Sequence, residues 1–95
     1  MKIRINERTR ELYAKNCPRS TYKCSSFKEL DYKIQRCIDL GLIRTKGDVT
    51  LVQYYNNQFQ IIDSVIVNIQ KTKKCFMISS YKKTEYFNKM QKVLV

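Results

Sequence analysis

Basic and phenolic side chains flank a short apolar run in the stretch QKTKKCFMISSYKKTEYFNKM, residues 70–90. Lysine neutralises phosphate groups, and tyrosine rings stack on unpaired bases. The stretch therefore predicts a nucleic-acid-binding surface, and the alternative interpretation is a buried strand with solvated ends. The predicted contacts on the two sides of the apolar run are Lys71, Lys73, Lys74, Tyr81, Lys82 and Lys83.

The chemistry open to the chain is limited because it contains no histidine. This excludes Ser-His-Asp hydrolysis, Cys-His proteolysis and the two-histidine ribonuclease mechanism. No glycine-rich nucleotide-binding motif is present. Phosphodiester cleavage would require lysine, arginine and tyrosine to share proton transfer and charge neutralisation in a dense positive site that lowers a neighbouring pKa. The candidates for these roles are Lys82, Tyr86 and Arg44.

Other basic and aromatic residues extend this hypothesis. Arg44, just past the main predicted helix, is a supporting phosphate contact, and the pair Tyr54-Tyr55 at a strand end provides either stacking rings or packing residues. The arginines near the N-terminus either follow a phosphate backbone or remain solvated. They are Arg4, Arg8 and Arg10.

The net charge favours polyanionic partners. Nineteen Lys and Arg residues stand against eight Asp and Glu residues, a formal net charge of +11. Such an excess is typical of proteins that bind nucleic acid, an anionic membrane surface or an acidic protein. An AT-rich coding sequence, which also enriches Asn, Ile, Tyr and Phe, can supply part of the lysine count.

Several features predict a single cytoplasmic domain over residues 1–95. The chain has 43% hydrophobic residues, two glycines and one proline, so neither a low-complexity linker nor a composition shift divides it. No apolar stretch approaches the roughly 20 residues that span a bilayer, and the charged start lacks a signal core. We therefore expect no membrane association.

The cysteines predict neither a metal site nor a cofactor. The four cysteines have no C-x-x-C spacing and no histidine to complete a mixed zinc site. We expect Cys17, Cys24, Cys37 and Cys75 to be free thiols in a reducing compartment. Cys37 and Cys75 lie in apolar patterns, which predicts that both are small core residues.

Two helices are expected in the first half of the chain. Asn6 can cap a helix over residues 7–15, and Pro18 then ends this segment in the polar connection NCPRSTYKCSS. Ser26 and Glu29 form a capping box before an apolar pattern of helical period, which predicts a helix over residues 27–40. Gly41 stands at its C-cap, and Leu42 and Ile43 are expected to pack at its end.

The second half reads as an antiparallel meander. We predict strands over residues 49–55, 58–69 and 75–81, with turns at Asn56-Asn57 and at QKTKK. The start, MKIRI, can be an additional edge strand, and residues 84–94 form either a terminal helix or a last edge strand. Asp63 interrupts an apolar strand face, which favours a bulge or an edge position over a functional acid.

The predicted fold class is α+β, with N-terminal helices packed on one face of a small antiparallel sheet of three to four strands and a possible C-terminal helix. In this order of elements over residues 26–88, the chain resembles the RelE-like and BrnT-like small toxins, of the superfamily that includes barnase and colicin D. Phe76 and Ile78 match that family's apolar-x-apolar strand, Lys82 or Lys83 its basic residue, and Tyr86 its tyrosine.

The resemblance implies RNA cleavage, on or off the ribosome, by Lys, Arg and Tyr in place of histidine. Related domains begin their first helix with a histidine and an arginine, and NERTRE keeps only arginines.

The resulting hypothesis is a small basic protein of a bacterium or its mobile elements that binds nucleic acid, RNA foremost, with RelE-like ribonuclease activity as an extension. The alternative is a non-enzymatic phage or mobile-element inhibitor that docks on an acidic host protein. Either protein can form a homodimer through an uncovered sheet face or edge.

Overall fold

The computed structural model describes residues 1–94, and the side chains of residues 1–91. The described residues form four helices and one three-stranded antiparallel sheet. The elements are α1 (Glu7–Asn16), α2 (Pro18–Tyr22), α3 (Phe27–Leu40), β1 (Leu42–Lys46), β2 (Val49–Ile62), β3 (Val65–Phe76) and α4 (Ser80–Leu94). The predicted α+β class and its order of helices, strands and terminal helix are confirmed.

Helix α1 begins where its capping residue predicts. The Asn6 carboxamide oxygen accepts a 3.0 Å hydrogen bond from the Thr9 amide, which satisfies one of the unpaired N–H groups of the first turn. The predicted strand at MKIRI is wrong, because the residues before α1 are not in a strand. Ile3 instead packs into the core, and the Arg4 amide donates to the Ser64 carbonyl oxygen at 2.7 Å.

The polar connection predicted between the first two helices contains α2. Pro18 occupies the first turn of this helix, where its missing N–H costs nothing, so it begins a helix instead of only ending one. The Thr21 hydroxyl donates to the Cys17 carbonyl oxygen at 3.0 Å.

Helix α3 confirms the predicted start at Ser26, whose hydroxyl accepts from the Glu29 amide at 3.2 Å. The Glu29 carboxylate accepts from the Ser25 amide at 2.7 Å, one residue before the predicted partner. Gly41 ends the helix with φ −73°, so its role is not a left-handed cap. A Cβ there would lie 2.4 Å from Val52 Cγ1, and glycine is therefore required by close approach to β2.

Leu42 and Ile43 lie in β1 and are each 47% exposed, so their predicted packing on the end of α3 is wrong. Strand β1 pairs with β2 in antiparallel register, with Arg44 opposite Leu51.

Strands β2 and β3 are joined by the two-residue turn Asp63-Ser64. Both residues have positive φ, 51° and 64°, as a tight type I′ hairpin requires. The predicted single strand over residues 58–69 is therefore wrong, because its middle is this turn. Asp63 is exposed at the tip, where its carboxylate stays solvated.

A wide bulge interrupts the far end of this hairpin. Tyr55 pairs with Phe76 and Asn57 with Lys71, so residues 72–75 lie opposite Asn56 alone. Tyr55 has a positive φ of 52°, and this left-handed backbone conformation changes the direction in which the side chains of β2 point at the bulge. The predicted turns at Asn56-Asn57 and QKTKK and the predicted strand over residues 75–81 are wrong, because β2 and β3 continue through both turns and β3 ends at Phe76.

The bulge is held from inside by Gln53, which is buried. Its side-chain nitrogen lies 2.7 Å from the Tyr55 carbonyl oxygen and 2.8 Å from Thr72 Oγ1. Cys75, within the bulge, is exposed, which corrects its prediction as a core residue; Cys37 is buried as predicted.

The core lies between α3 and the inner face of the sheet. Its fully buried apolar side chains are Ile34, Ile38, Val52, Phe59, Ile61 and Ile66. Helix α4 packs beside α3, where the Tyr86 hydroxyl donates to Asp39 Oδ2 at 2.6 Å and the rings of Tyr86 and Tyr32 lie 5.7 Å apart. Of the helices that the structure describes, none is long and apolar enough to cross a bilayer.

Candidate functional site

A cleft of about 480 Å³ lies between the helices and the bulged end of the sheet. Its cations come from four different elements: Arg19 of α2, Arg36 of α3, Lys71 of β3 and Lys83 of α4. None of the described residues that line it is Asp or Glu. We call this site, defined by those four cations together with Tyr54 and Tyr55, the cationic cleft.

Tyr55 fixes the position of Lys83 in the cleft. The Lys83 ammonium nitrogen lies 4.7 Å from the centroid of the Tyr55 ring, a cation–π geometry. The Tyr55 hydroxyl donates to the Ile78 carbonyl oxygen at 3.1 Å, and the Tyr54 ring meets the Tyr55 ring edge-on at 4.9 Å. One face of Tyr55 is therefore occupied by a cation, so this ring positions Lys83 and does not offer that face to a base.

Two polar atoms beside the cleft are buried without a hydrogen-bond partner among the described residues: the Tyr54 hydroxyl and Arg36 Nε. Tyr54 is 7% exposed, and burial raises its pKa to about 12, against the opposing effect of the nearby Arg36 charge. The phenol is therefore protonated at neutral pH. Both groups can donate a hydrogen bond, and a bound anion accepts hydrogen bonds.

Lys71 enters the cleft from β3 with a neutral partner. Its ammonium group donates to Asn57 Oδ1 at 2.7 Å, and Asn57 lies directly opposite it in the sheet. The ion pair found among residues 1–91 is elsewhere, between Arg10 and Asp31, with Arg10 Nε 2.8 Å from Asp31 Oδ1. The charge of Lys71 thus has no carboxylate to neutralise it, whereas Arg10, which could have followed a phosphate backbone or remained solvated, is paired with Asp31.

Two cysteines, Cys17 and Cys37, also line the cleft. Burial raises the pKa of both thiols, and that of Cys37 reaches about 12. Because the thiolate is the nucleophilic form, these side chains are neutral packing groups at physiological pH.

The structure brings together only part of the predicted lysine set. Lys71 and Lys83 line the cationic cleft. Lys73 and Lys74 are exposed in the bulge that connects Lys71 to Phe76 and do not line the cleft; we call this exposed pair the lysine rim. Tyr81, at the start of α4, is 75% exposed.

Of the three candidate catalytic residues, Lys82 and Tyr86 lie together and Arg44 lies apart from them. Lys82 and Tyr86 share a separate groove with Asp39, where the Tyr86 hydroxyl is bound to the Asp39 carboxylate. Burial and this hydrogen bond raise the Tyr86 pKa. Arg44 lies on β1, which is separated from β3 by β2. Tyr86 is therefore a residue that attaches α4 to α3, and Arg44, predicted as a supporting cation, lies on a different strand from the lysines of β3.

Sequence reasoning missed Arg19, Arg36 and Asn57. Arg19 lies in the segment interpreted as a connection, and Asn57 in a supposed turn. The position of Arg36 could have been noticed in the sequence, because it lies between Ile34 and the buried pair Cys37 and Ile38. A cation at the margin of an apolar helix face must extend its side chain along the neighbouring surface to reach water.

No protein-family model matches the chain, and neither a curated protein nor a solved structure shows significant similarity to it.

Proposed function

We propose that the protein binds nucleic acid, RNA foremost, by seating a phosphate group in the cationic cleft. The observation that supports this most directly is the convergence of Arg19, Arg36, Lys71 and Lys83 around one cleft whose described lining contains no carboxylate. A phosphate placed there displaces condensed counterions from the RNA, and their release drives binding.

The lysines of the bulge extend the same surface. Lys73 and Lys74 follow Lys71 along β3 and are exposed. Adjacent phosphates of a single strand can contact them while one phosphate occupies the cleft. Single-stranded RNA suits this arrangement because a flexible backbone can follow a curved row of cations.

The geometry favours binding over cleavage. A general base must be deprotonated at the working pH, and burial keeps the phenol of Tyr54 and the thiol of Cys37 protonated. Tyr86, the tyrosine of the RelE-like pattern, donates its hydroxyl to Asp39 and is buried. The described cleft thus offers hydrogen-bond donors and cations, which suffice for binding.

Salt dependence tests the proposal. The logarithm of RNA affinity against the logarithm of salt concentration has a slope of about −0.7 per phosphate contact with a single strand. We expect Arg36→Gln and Lys71→Gln each to weaken binding of a single-stranded oligoribonucleotide and to flatten the slope by about that amount. Arg44→Gln is the matched control, since it removes a cation from β1, away from the cleft.

An unchanged slope in both cleft variants would overturn the proposal. The alternative partner, an acidic protein, is tested in the same assay with polyglutamate as a second probe. Binding of polyglutamate as tight as that of RNA, and equally sensitive to Arg36→Gln, would favour the acidic-protein alternative.

A further inference from the structure

We infer that the cationic cleft holds the terminal phosphomonoester of a single-stranded RNA, in preference to an internal phosphodiester. This inference rests on the proposed RNA binding and names the group that the cleft recognises. Three features support it: the charge of the cleft, its buried donors and the position of the lysine rim.

The charge of the cleft exceeds what one internal phosphate can neutralise. Four cations line it, and none of its described lining residues is acidic. An internal phosphodiester carries one negative charge, whereas a terminal phosphomonoester carries about −1.5 to −2 at pH 7 and has three strong acceptor oxygens. The additional negative charge of the phosphomonoester strengthens binding here, because cations from four separate elements surround the same volume.

The buried donors point to the same ligand. The Tyr54 hydroxyl and Arg36 Nε make no hydrogen bond of good geometry among the described residues, and the two side chains are close neighbours, since Arg36 lowers the pKa of Tyr54 against the effect of burial. Arg36 and Tyr54 both line the cleft, but these two atoms are shielded from water, so a ligand oxygen reaches them only when neighbouring side chains move. A group with three terminal oxygens can accept from these donors while it also contacts Lys71 and Lys83.

The lysine rim offers phosphate contacts for the nucleotides that follow the RNA end. The cleft volume of about 480 Å³ falls within the range of pockets that hold a small ligand. Lys73 and Lys74 lie on its β3 side, next to Lys71. An RNA end can therefore place its phosphate in the cleft and its next nucleotides along the exposed lysines that follow Lys71 in β3.

The test uses one short oligoribonucleotide sequence in three forms, with a 5′-phosphate, a 3′-phosphate or hydroxyl groups at both ends. We expect one of the phosphorylated forms to bind at least about tenfold tighter than the hydroxyl form. Since the second ionisation of a phosphomonoester has a pKa of about 6, the preference should shrink when the pH is lowered from about 7.5 to about 5.5.

The double variant Arg36→Gln, Lys71→Gln should lose the preference, and Arg44→Gln should keep it, with circular dichroism and urea midpoints confirming that both are folded. Equal, salt-dependent binding of all three probes would overturn this inference and leave the proposed RNA binding intact. Absence of binding to every probe would overturn both. A preference that persists in the folded double variant would place the phosphate outside the cationic cleft and would also overturn the inference.

Discussion

The ammonium nitrogen of Lys83 lies 4.7 Å from the centroid of the Tyr55 ring, and this contact joins the start of α4 to β2 beside the bulge. Ser79 caps this helix by accepting from the Lys82 amide at 3.2 Å. Consecutive lysines on a helix point about 100° apart, so Lys83 lines the cationic cleft while Lys82 lines the groove that contains Asp39.

Because Lys82 and Lys83 line different sites, their alanine substitutions form a matched pair of variants. We expect Lys83→Ala to weaken RNA binding several-fold and to flatten the salt slope by about 0.7, because a cation leaves the cleft. Lys82→Ala, whose side chain lies beside Asp39 and Glu85, should change the slope by much less. Affinity measured at several salt concentrations checks this, and equal effects of the two substitutions would contradict the assignment.

Tyr86 should act on RNA binding through the position of α4. Tyr86→Phe removes the 2.6 Å hydrogen bond to Asp39, which we expect to cost about 1–2 kcal/mol of unfolding free energy. It should also weaken RNA binding, because α4 then holds Lys83 less firmly in the cleft.

A double-mutant cycle separates this positioning role from general destabilisation. In a Lys83→Ala background, Tyr86→Phe should leave the RNA affinity unchanged while still lowering the urea midpoint. A loss of affinity as large as that in the wild-type background would show that Tyr86 does not act through Lys83.

Gly41 should be intolerant of any side chain. An added Cβ would lie 2.4 Å from Val52 Cγ1 and 2.7 Å from the Cys37 carbonyl oxygen, so we expect Gly41→Ala to destabilise the fold by about 1–3 kcal/mol. Val52→Ala should not restore this loss, since it leaves a cavity at a fully buried position and the contact with backbone remains.

Gly47 is the control for Gly41, because nothing lies within 4 Å of an added Cβ and its φ of +61° suits asparagine. Gly47→Asn should therefore change the urea midpoint little. Equal losses at the two glycines would contradict the assignment of close packing as the reason for glycine at position 41.

Stability should fall at alkaline pH. Burial raises the folded-state pKa of Tyr54 and Cys37, each to about 12, above unfolded values of about 10 and 8.5. For such acids the contribution to stability is complete below the unfolded pKa and is lost as the pH rises towards the folded pKa. Urea unfolding should therefore give constant stability from about pH 6 to 8 and a decline between about pH 9 and 12.

Tyr54→Phe should make this decline shallower and leave stability at pH 7 equal or higher, because its hydroxyl has no partner among the described residues. A loss of more than about 1 kcal/mol at pH 7 would show that the hydroxyl is hydrogen-bonded in solution.

The helices with strong local signals could be predicted from the sequence. Asn6 and Ser26 mark the starts of α1 and α3 because capping depends on a side chain and the amide three residues on, a relationship contained within one turn. The helical spacing of the apolar residues in α3 likewise indicates which face of the helix packs against the sheet. Gly41 ends α3 as predicted, but not as a left-handed cap. Glycine is required there by the close approach of Val52, a tertiary contact that the local sequence does not show.

The strand register could not be predicted. The long apolar run around Asp63 hides a tight turn, because neighbouring apolar residues continue on both strands of the hairpin. The bulge at residues 72–75 is fixed by the Gln53 side chain, which reaches Thr72 across the sheet at 2.8 Å. Such a contact between distant positions leaves no local pattern, and the predicted turns were therefore placed inside strands.

The same limit applies to the candidate site. The lysine-rich stretch contains Lys71 and Lys83, which line the cationic cleft together with Tyr54 and Tyr55. Arg36 and Arg19 join them only because α2 and α3 pack next to the bulge, and Arg44 is excluded by the strand order. The local sequence shows which side chains carry charge, and the packing of elements decides which charges share a cleft.

The bulge also affects how two copies of the chain meet. Strand β3 is an outer strand of the sheet, and a regular outer strand offers free N–H and C=O groups on which another chain can assemble. Residues 72–75 break that regularity, and Lys71, Lys73 and Lys74 place like charges along it. The shape of the bulge and the repulsion between these lysines thereby oppose growth of a continuous intermolecular sheet at β3.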